Sequence, residues 1–596
     1  MAADKLQKLR WRRRFKRSQK HVESIGQQAE AGLERHFFGR ISRFVGVRRF
    51  VFAWIMLLTL LVGGVVVQTR GLSQYYQKLS PADGGTYTEG VLGSFTNANP
   101  IYATGPVDST VARLLFSSIM QYDSSNKLVG DLALKLGSNP QADVYTIRLR
   151  DDVYWHDGKP LTAEDVVFTY QTIQNPDAQS PLLPNWKGVK IKALNSKTVQ
   201  FDLPHALASF PHTLTSGIVP KHLLSNIPAS QLRSISFNTA GPIGSGPFKW
   251  DSIQVDGSTS ETREEQVGLV KNEQYYRGSP KLDRFTVRAF RNDEALVNSM
   301  DNKEITAAAG LDNIPENKSN DLTTKQYNVP LMGEIMVFLK NSDDLLKDAN
   351  VRRALTKGTD VDEIIGGLGY PVIKSDSLLL RSHTGYDKKI IQQRYDPKQA
   401  RLLLKKSGWS KINDKGIRTK NDKELTVRMI SRSNRQYSYV TSVLQKQWRA
   451  IGVKLEVVLQ PDEELQSTIA FHNYQALLYG ISLGNDPDIY AYWHSSQADA
   501  GSSSRLNLAE YKSKILDQAL EGGRSRVDSK LRATKYKPML TQWRNDAPAI
   551  ALYQPRYLYI TSDSVHGFVP SKFVSPTDRF ANVANWTIKE TLKTQE

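Results

Sequence analysis

VYTIRLRDDVYWHDGKPLTAEDVVFTYQTI, residues 144–173, carries a strand, a turn and a helix start in succession. Tyr145, Ile147 and Leu149 alternate with Val144, Thr146 and Arg148, the period-two pattern of a half-buried strand. Asp157-Gly158 marks the tip of a turn. Thr162 then offers an N-cap hydroxyl, with Glu164 and Asp165 in the first turn facing the positive end of the helix dipole. Downstream, RYDPKQARLLLKKSGW (394–409) predicts a second helix: Asp396 caps it, Pro397 takes the first position, Lys405-Lys406 the last turn, and Gly408 stops it. SYVTSVLQKQWRAIG predicts a third, ending at Gly452 and leading into the strand VKLEVVL. Strand, helix and strand in succession predict an α/β body with helices covering sheets.

Upstream of this body, residues 50–69, FVFAWIMLLTLLVGGVVVQT, are uncharged and bounded by Arg48-Arg49 and Arg70. At about 1.5 Å per residue such a helix reaches about 30 Å, one hydrocarbon thickness. A cleaved signal peptide has a short basic leader, a shorter apolar core and a small-residue cleavage site. Here 49 residues precede the core, and Val65-Val66-Val67-Gln68 lacks the small-residue pattern. A retained single span is expected, with its basic flank in the cytoplasm and everything beyond Arg70 outside.

The net charge of +19 on 596 residues is concentrated at that flank, where Lys and Arg outnumber Asp and Glu by 14 to 4 before residue 50. Basic and aromatic residues mixed just ahead of the span suit anionic headgroups at the lipid bilayer, and no nucleic-acid partner is expected. The chain has no cysteine, which excludes disulfides, Cys-ligated zinc, thiol catalysis and a cysteine-linked lipid. Residues 70–83 read as a polar tether of at most about 50 Å.

At WHDGKPLTAEDVVFTY (155–170) the chain resembles the family 5 solute-binding proteins, the oligopeptide- and dipeptide-binding receptors of ABC importers. Further segments similar to that family follow in its order. They are GGTYTEG with Asn99-Pro100, GPIGSGPFKW (241–250), LVKNEQYYRGSPKLDRFTVRAF (269–290), DANVRRALTKGTDVDEII (348–365), YDPKQARLLLKKSGW, and DAPAIALYQPRYLYI (546–560) with Val565-His566-Gly567-Phe568. The resemblance covers residues 84–596. It implies a two-lobed periplasmic-binding-protein-like fold (type II, large peptide-binder class) behind the single transmembrane helix, with a ligand enclosed between lobes joined by paired crossovers. The crossovers are expected near 333–341 and 549–555. Lobe I then runs 84–335, with a subdomain at about 100–205; lobe II runs 336–548, and 549–596 return to lobe I.

In peptide-binding relatives an aspartate on the second lobe pairs with the peptide's free amino group. The matching stretch QALLYGISLGNDPDIYAYWHS (475–495) reads Ser482-Leu483-Gly484 at that place, with no acid. Asp486 and Asp488 flank Pro487 close by. Ligand contacts are expected from the loop holding Glu89, Gly90 and Phe95, from Ser245-Gly246, and from Asp486, Tyr490 and Trp493. The glycines would let backbone approach a ligand. The Trp155–Gly158 run is expected to hold a surface turn.

Enzyme signatures are missing: no H-E-x-x-H, no G-x-S-x-G elbow and no P-loop. Ser124 and Lys127 share an S-x-x-K spacing, but Lys357-Gly358-Thr359 is no K-T-G partner. His156, His383 and His494 have no close-spaced ligands, so no metal site and no cofactor are expected. The expected function is an anchored, monomeric receptor that delivers peptides to ABC permease subunits with cytoplasmic ATPases. The alternatives are the same scaffold for an oligosaccharide or metal chelate, and an anchored sensor or adhesion protein.

Overall fold

A computed structural model describes residues 48–75, 77–257, 263–315, 318, 321–499 and 505–594. The basic segment before residue 48 lies outside them. Arg48–Tyr75 form one helix, and its segment Phe50–Thr69 has a mean hydropathy of 2.6 with no residue buried. It is long and apolar enough to cross a membrane.

Pro81–Glu590 form one compact unit. Its first layer is a seven-stranded sheet whose centre is parallel: Thr86–Leu92 lies between Arg284–Phe290 and Ala307–Leu311, both running with it. Tyr87, Glu89 and Val91 point to one face of this sheet and Gly90 and Leu92 to the other, as alternation requires. An antiparallel sheet of Ala133–Ser138, Val144–Leu149, Lys190–Asn195 and Thr198–Asp202 shares the first face's core through Tyr145, Ile147, Leu149 and Phe201. The helix Ala163–Gln174 covers it, with Tyr170 stacked on Trp186 at 3.8 Å.

The local chemistry at 144–173 holds in detail. Thr162 and Asp165 make a reciprocal capping box, with the Thr162 N–H donating to Asp165 Oδ2 at 2.8 Å. Gly158 turns at φ +88°, which an L side chain rarely adopts, and donates to Trp155 O. Asp396 caps Pro397–Lys406 as expected, and Gly408 follows at φ +88°. The third helix starts at Arg435, three residues before the quoted stretch. Asn434 caps it, accepting from the Tyr437 N–H at 2.8 Å.

A second, five-stranded sheet has the order Lys454–Gln460, Thr426–Arg432, Ala476–Ser482, Gly333–Leu339, Ala549–Tyr553. Two hydrophobic clusters cover its faces, one built on Met336, Phe338, Trp493 and Trp543, the other on Val337, Leu444 and Trp448. The chain passes from the first sheet to the second between Pro330 and Gly333 and returns between Tyr553 and Arg556. Of the expected crossovers 333–341 and 549–555, Gly333–Leu339 and Ala549–Tyr553 are therefore sheet residues, and the passages themselves, 331–332 and 554–555, are only two residues long, too short to give more than a bend. A segment of the second lobe runs alongside both. Gln554 N–H donates to Ile373 O (2.8 Å), Asn328 Nδ2 donates to Pro371 O (2.9 Å), and the Arg556 guanidinium lies 3.4 Å over the Tyr370 ring.

Candidate ligand cleft

The central strands of the first lobe run parallel, so their carboxyl ends coincide. Ligands of open α/β sheets sit outside such ends. There, Val91, Leu92 and Gly310 open onto a cavity of about 300 Å³ whose polar wall includes Ser109, Thr110 and Arg579.

Glu89, expected at a ligand-facing loop, stands behind this wall. It is fully buried and holds the Arg579 guanidinium, accepting from Nε at 3.2 Å and also from Nη2. Tyr559 O–H donates to its other oxygen at 2.6 Å, and Arg579 Nη2 also donates to Thr110 Oγ1 at 2.9 Å. Burial works against the Arg579 charge, and Glu89 more than restores it. Glu89 thus positions a cation 490 residues away in sequence.

Gly90 faces Leu296, Ile305 and Phe290; a Cβ there would lie 2.3 Å from Leu296 Cδ1. Its missing side chain lets the helix Asp293–Asp301 pack on the sheet. Phe95 is nearly buried beside Trp250, and its N–H donates to Glu265 Oε2 at 2.7 Å. Gly246 is approached by the end of the Pro106–Leu115 helix, whose Leu115 O accepts its N–H at 2.8 Å. Ser245 is buried, with its carbonyl accepting from Ser117 Oγ at 3.0 Å and its own hydroxyl unpartnered.

This Gly-Ser-Gly turn is also where the Trp155–Gly158 run docks. His156 Nδ1 accepts from Gly244 N–H (3.1 Å) and its Nε2 pairs with Gly246 O (3.2 Å). Burial holds that imidazole down at about 4, so it stays neutral. The two motifs are one structural joint.

The turn Asn485–Asp488 of the second lobe meets the first lobe directly. Asn485 Nδ2 donates to Asn126 O (2.6 Å), Asn126 Nδ2 donates to Asn485 Oδ1 (3.3 Å), and Ser209 Oγ donates to Asp488 Oδ2 (2.9 Å). Ala208 N–H donates to Arg524 O at 2.8 Å. Asp486 lies 3.8 Å from His212 Nε2 and is clamped by Arg532, whose Nη2 donates to Oδ1 at 2.6 Å and Nη1 to Oδ2 at 2.7 Å. Burial disfavours the Asp486 charge, yet the guanidinium prevails and holds the carboxyl below its ordinary range. Burial lowers His212, with Asp486 pulling it partly back.

Tyr490 stacks on His494 at 4.1 Å under the Arg524 guanidinium. Trp493 is fully buried against Phe338 and Trp543, a core residue of its lobe. Asn126, Ser209, His212, Arg524, Arg532 and Arg579 carry this geometry and were not anticipated. Their partners are tens to hundreds of residues distant, so no local pattern flags them.

The family description "Bacterial extracellular solute-binding proteins, family 5 Middle" matches residues 127–502. The chain belongs to this family. It is similar to the oligopeptide-binding protein AppA of Bacillus subtilis, at 27% identity over 526 residues, covering 85% of this chain and 92% of AppA. Among solved structures it is similar to NikZ from Campylobacter jejuni in complex with Ni(L-His), with 26% identity and a TM-score of 0.72, over 84% of this chain and 99% of NikZ. The ABC transporter substrate binding protein CtaP from Listeria monocytogenes is equally alike, with 26% identity and a TM-score of 0.72, over 85% of this chain and all of CtaP. The fold is thus two-lobed and of the periplasmic-binding-protein kind, and the chain is a solute-binding component of ABC importers.

Proposed function

We propose that this chain is a membrane-anchored, extracytoplasmic receptor that captures peptides by closing its two lobes and delivers them to an ABC permease. The observation that carries this reading is the side-chain contact between Asn485–Asp488 and residues 126 and 209. It bridges two lobes whose covalent links are passages of two residues. Such short links suit a hinge, and a ligand touching both lobes shifts the balance toward the closed form.

The peptide assignment draws on the name of AppA and on the extended cleft edge formed by sheet ends, where main-chain groups can hold a peptide backbone while pockets take side chains. The anchor is Phe50–Thr69, which keeps the receptor at high effective concentration beside its permease. Lobe I comprises 84–330 and 556–596, and lobe II 333–553, each strand being taken with the sheet in which it pairs; the receptor is monomeric and performs no catalysis. Mass spectrometry of small molecules that co-purify with the full chain in detergent tests the ligand class. A ladder of peptides is expected; a metal chelate or an oligosaccharide in their place overturns the peptide assignment.

A further inference from the structure

Beyond residue 49 the chain carries 65 Lys and Arg against 56 Asp and Glu, a net of nine positive charges. Residues 387–424 of the second lobe carry 12 against 5, so this one stretch holds seven of the nine. It folds as the helix Pro397–Lys406 followed by a small antiparallel sheet of Lys411–Ile412, Arg418–Lys420 and Lys423–Glu424. Side chains tie these pieces into one surface. Arg401 Nη1 donates to Ala450 O (3.2 Å), Lys420 Nζ donates to Ser407 O (3.0 Å) and lies 6.0 Å over the Trp409 ring, and Arg449 Nη2 donates to Lys415 O.

The acids of the stretch do not neutralise it. Asp396 caps the helix, Asp387 accepts from the Lys389 N–H (2.9 Å), Glu424 accepts from Asn413 Nδ2 (2.6 Å), and Asp414 and Asp422 sit exposed in turns. Among the described residues none of the twelve cations is ion-paired; the flanking ion pairs are Arg381–Asp376 and Lys446–Glu363. Lys398, Lys405, Lys406, Lys411, Lys415 and Lys423 are exposed, and their ammonium groups have no partner among the described residues. Apolar side chains stand between them. Leu402 is 57% exposed and shares a helix face with Lys398, Lys405 and Lys406, three or four residues away, while Ile412, beside Lys411, is 59% exposed.

We propose that this basic, leucine- and isoleucine-studded face of the second lobe docks on the headgroups of an anionic lipid surface. This rests on the membrane-anchored reading above. The free cations are all lysines, point charges on flexible stems, rather than the guanidinium forks that suit planar, bidentate partners. Lysines that reach phosphates while apolar side chains dip below them are the pattern of an interfacial surface. The chain already carries a helix, Phe50–Thr69, long and apolar enough to cross a bilayer, so a lipid surface is the partner within its reach. The face is also clear of the cleft. Thr426–Arg432 runs parallel to Ala476–Ser482, whose carboxyl end leads to the interlobe turn Asn485–Asp488. Lys423-Glu424 enter at the opposite, amino end of that seven-residue strand, about 20 Å away. Lipid contact there leaves the ligand side open.

The test is fluorescence quenching in nanodiscs that hold the full chain, with a dye on Ser410→Cys, an exposed position beside Lys411, and a quencher on the lipid headgroups. The discs are phosphatidylcholine alone or with about 30% phosphatidylglycerol. Quenching is expected to be several-fold stronger in the anionic discs, and about 1 M salt, which screens charge beyond about 3 Å, should remove the difference. A dye on Lys192→Cys of the first lobe should be quenched alike in both. Each cation at an anionic surface strengthens association about fivefold, so Lys405→Gln with Lys406→Gln should weaken it about 25-fold and erase the difference between discs. Equal quenching of the Ser410→Cys dye in the two discs overturns the proposal, even if the double variant fails to fold. So does a double variant quenched like wild type, or an equal rise at Lys192→Cys. A chain that enters neither disc sinks the anchored reading, and this inference with it.

Discussion

Asn485→Ala removes a side chain that bonds the first lobe twice, through Asn126 O at 2.6 Å and Asn126 Nδ2 at 3.3 Å. A net protein hydrogen bond contributes about 1 kcal/mol, so the pair favours the joined state by about 2 kcal/mol. Since about 1.4 kcal/mol is a factor of ten, the closing equilibrium should shift toward open by about 30-fold. A ligand that needs the closed form pays that shift in full, and its Kd should rise by about 10- to 30-fold. Folding should be nearly untouched, because no other hydrogen bond of the Asn485 side chain is broken. The assay is titration calorimetry with the co-purifying ligand, beside thermal unfolding of the ligand-free chain. An affinity within twofold of wild type would refute the reasoning that this turn latches the lobes.

Glu89→Gln leaves the Arg579 guanidinium buried without its counter-ion, and breaking a buried pair costs about 3–5 kcal/mol; a marked drop in unfolding midpoint in denaturant is expected, larger than for any exposed ion pair such as Lys347–Asp344. His156 is held down at about 4 when folded against an ordinary value near 6.5. The unfolded chain then binds more protons, so stability is full above about pH 6.5 and falls toward pH 4 by up to about 3 kcal/mol; urea titrations across that range should show the slope, and His156→Gln should flatten it. Leu57→Arg with Leu61→Arg places two charges mid-span at about 2.5–3.5 kcal/mol each; the chain should shift from the membrane to the soluble fraction on cell lysis.

Helix starts and stops were readable wherever their chemistry is local. Thr162 with Asp165, Asp396 with Pro397, and Gly408 act within four residues of themselves, so a single sequence displays them. The family motifs were readable for the same reason, being contiguous. The site was not. Glu89 reads as a ligand contact in a glycine-bearing loop, yet its role is set by Arg579, 490 residues away. Gly90 looked like room for a ligand, and the room is taken by Leu296 and Ile305. Asp486 and its Arg532 lie 46 residues apart, and neither carries a local mark of the clamp. Pairings made by tertiary packing have no period along the chain, which is why they escaped.

The central claim is capture by closure, and the absence of cysteine makes it directly measurable. Lys192→Cys on the first lobe and Lys446→Cys on the second put thiols at positions whose side chains are 55% and 79% exposed, so a dye pair attaches there alone. Energy transfer between the dyes, followed in the full chain while a randomised pentapeptide library is added, should move from a low-transfer to a high-transfer population, with the Asn485→Ala variant needing more ligand to do so. Ligand binding proven by calorimetry with no change in transfer would contradict it.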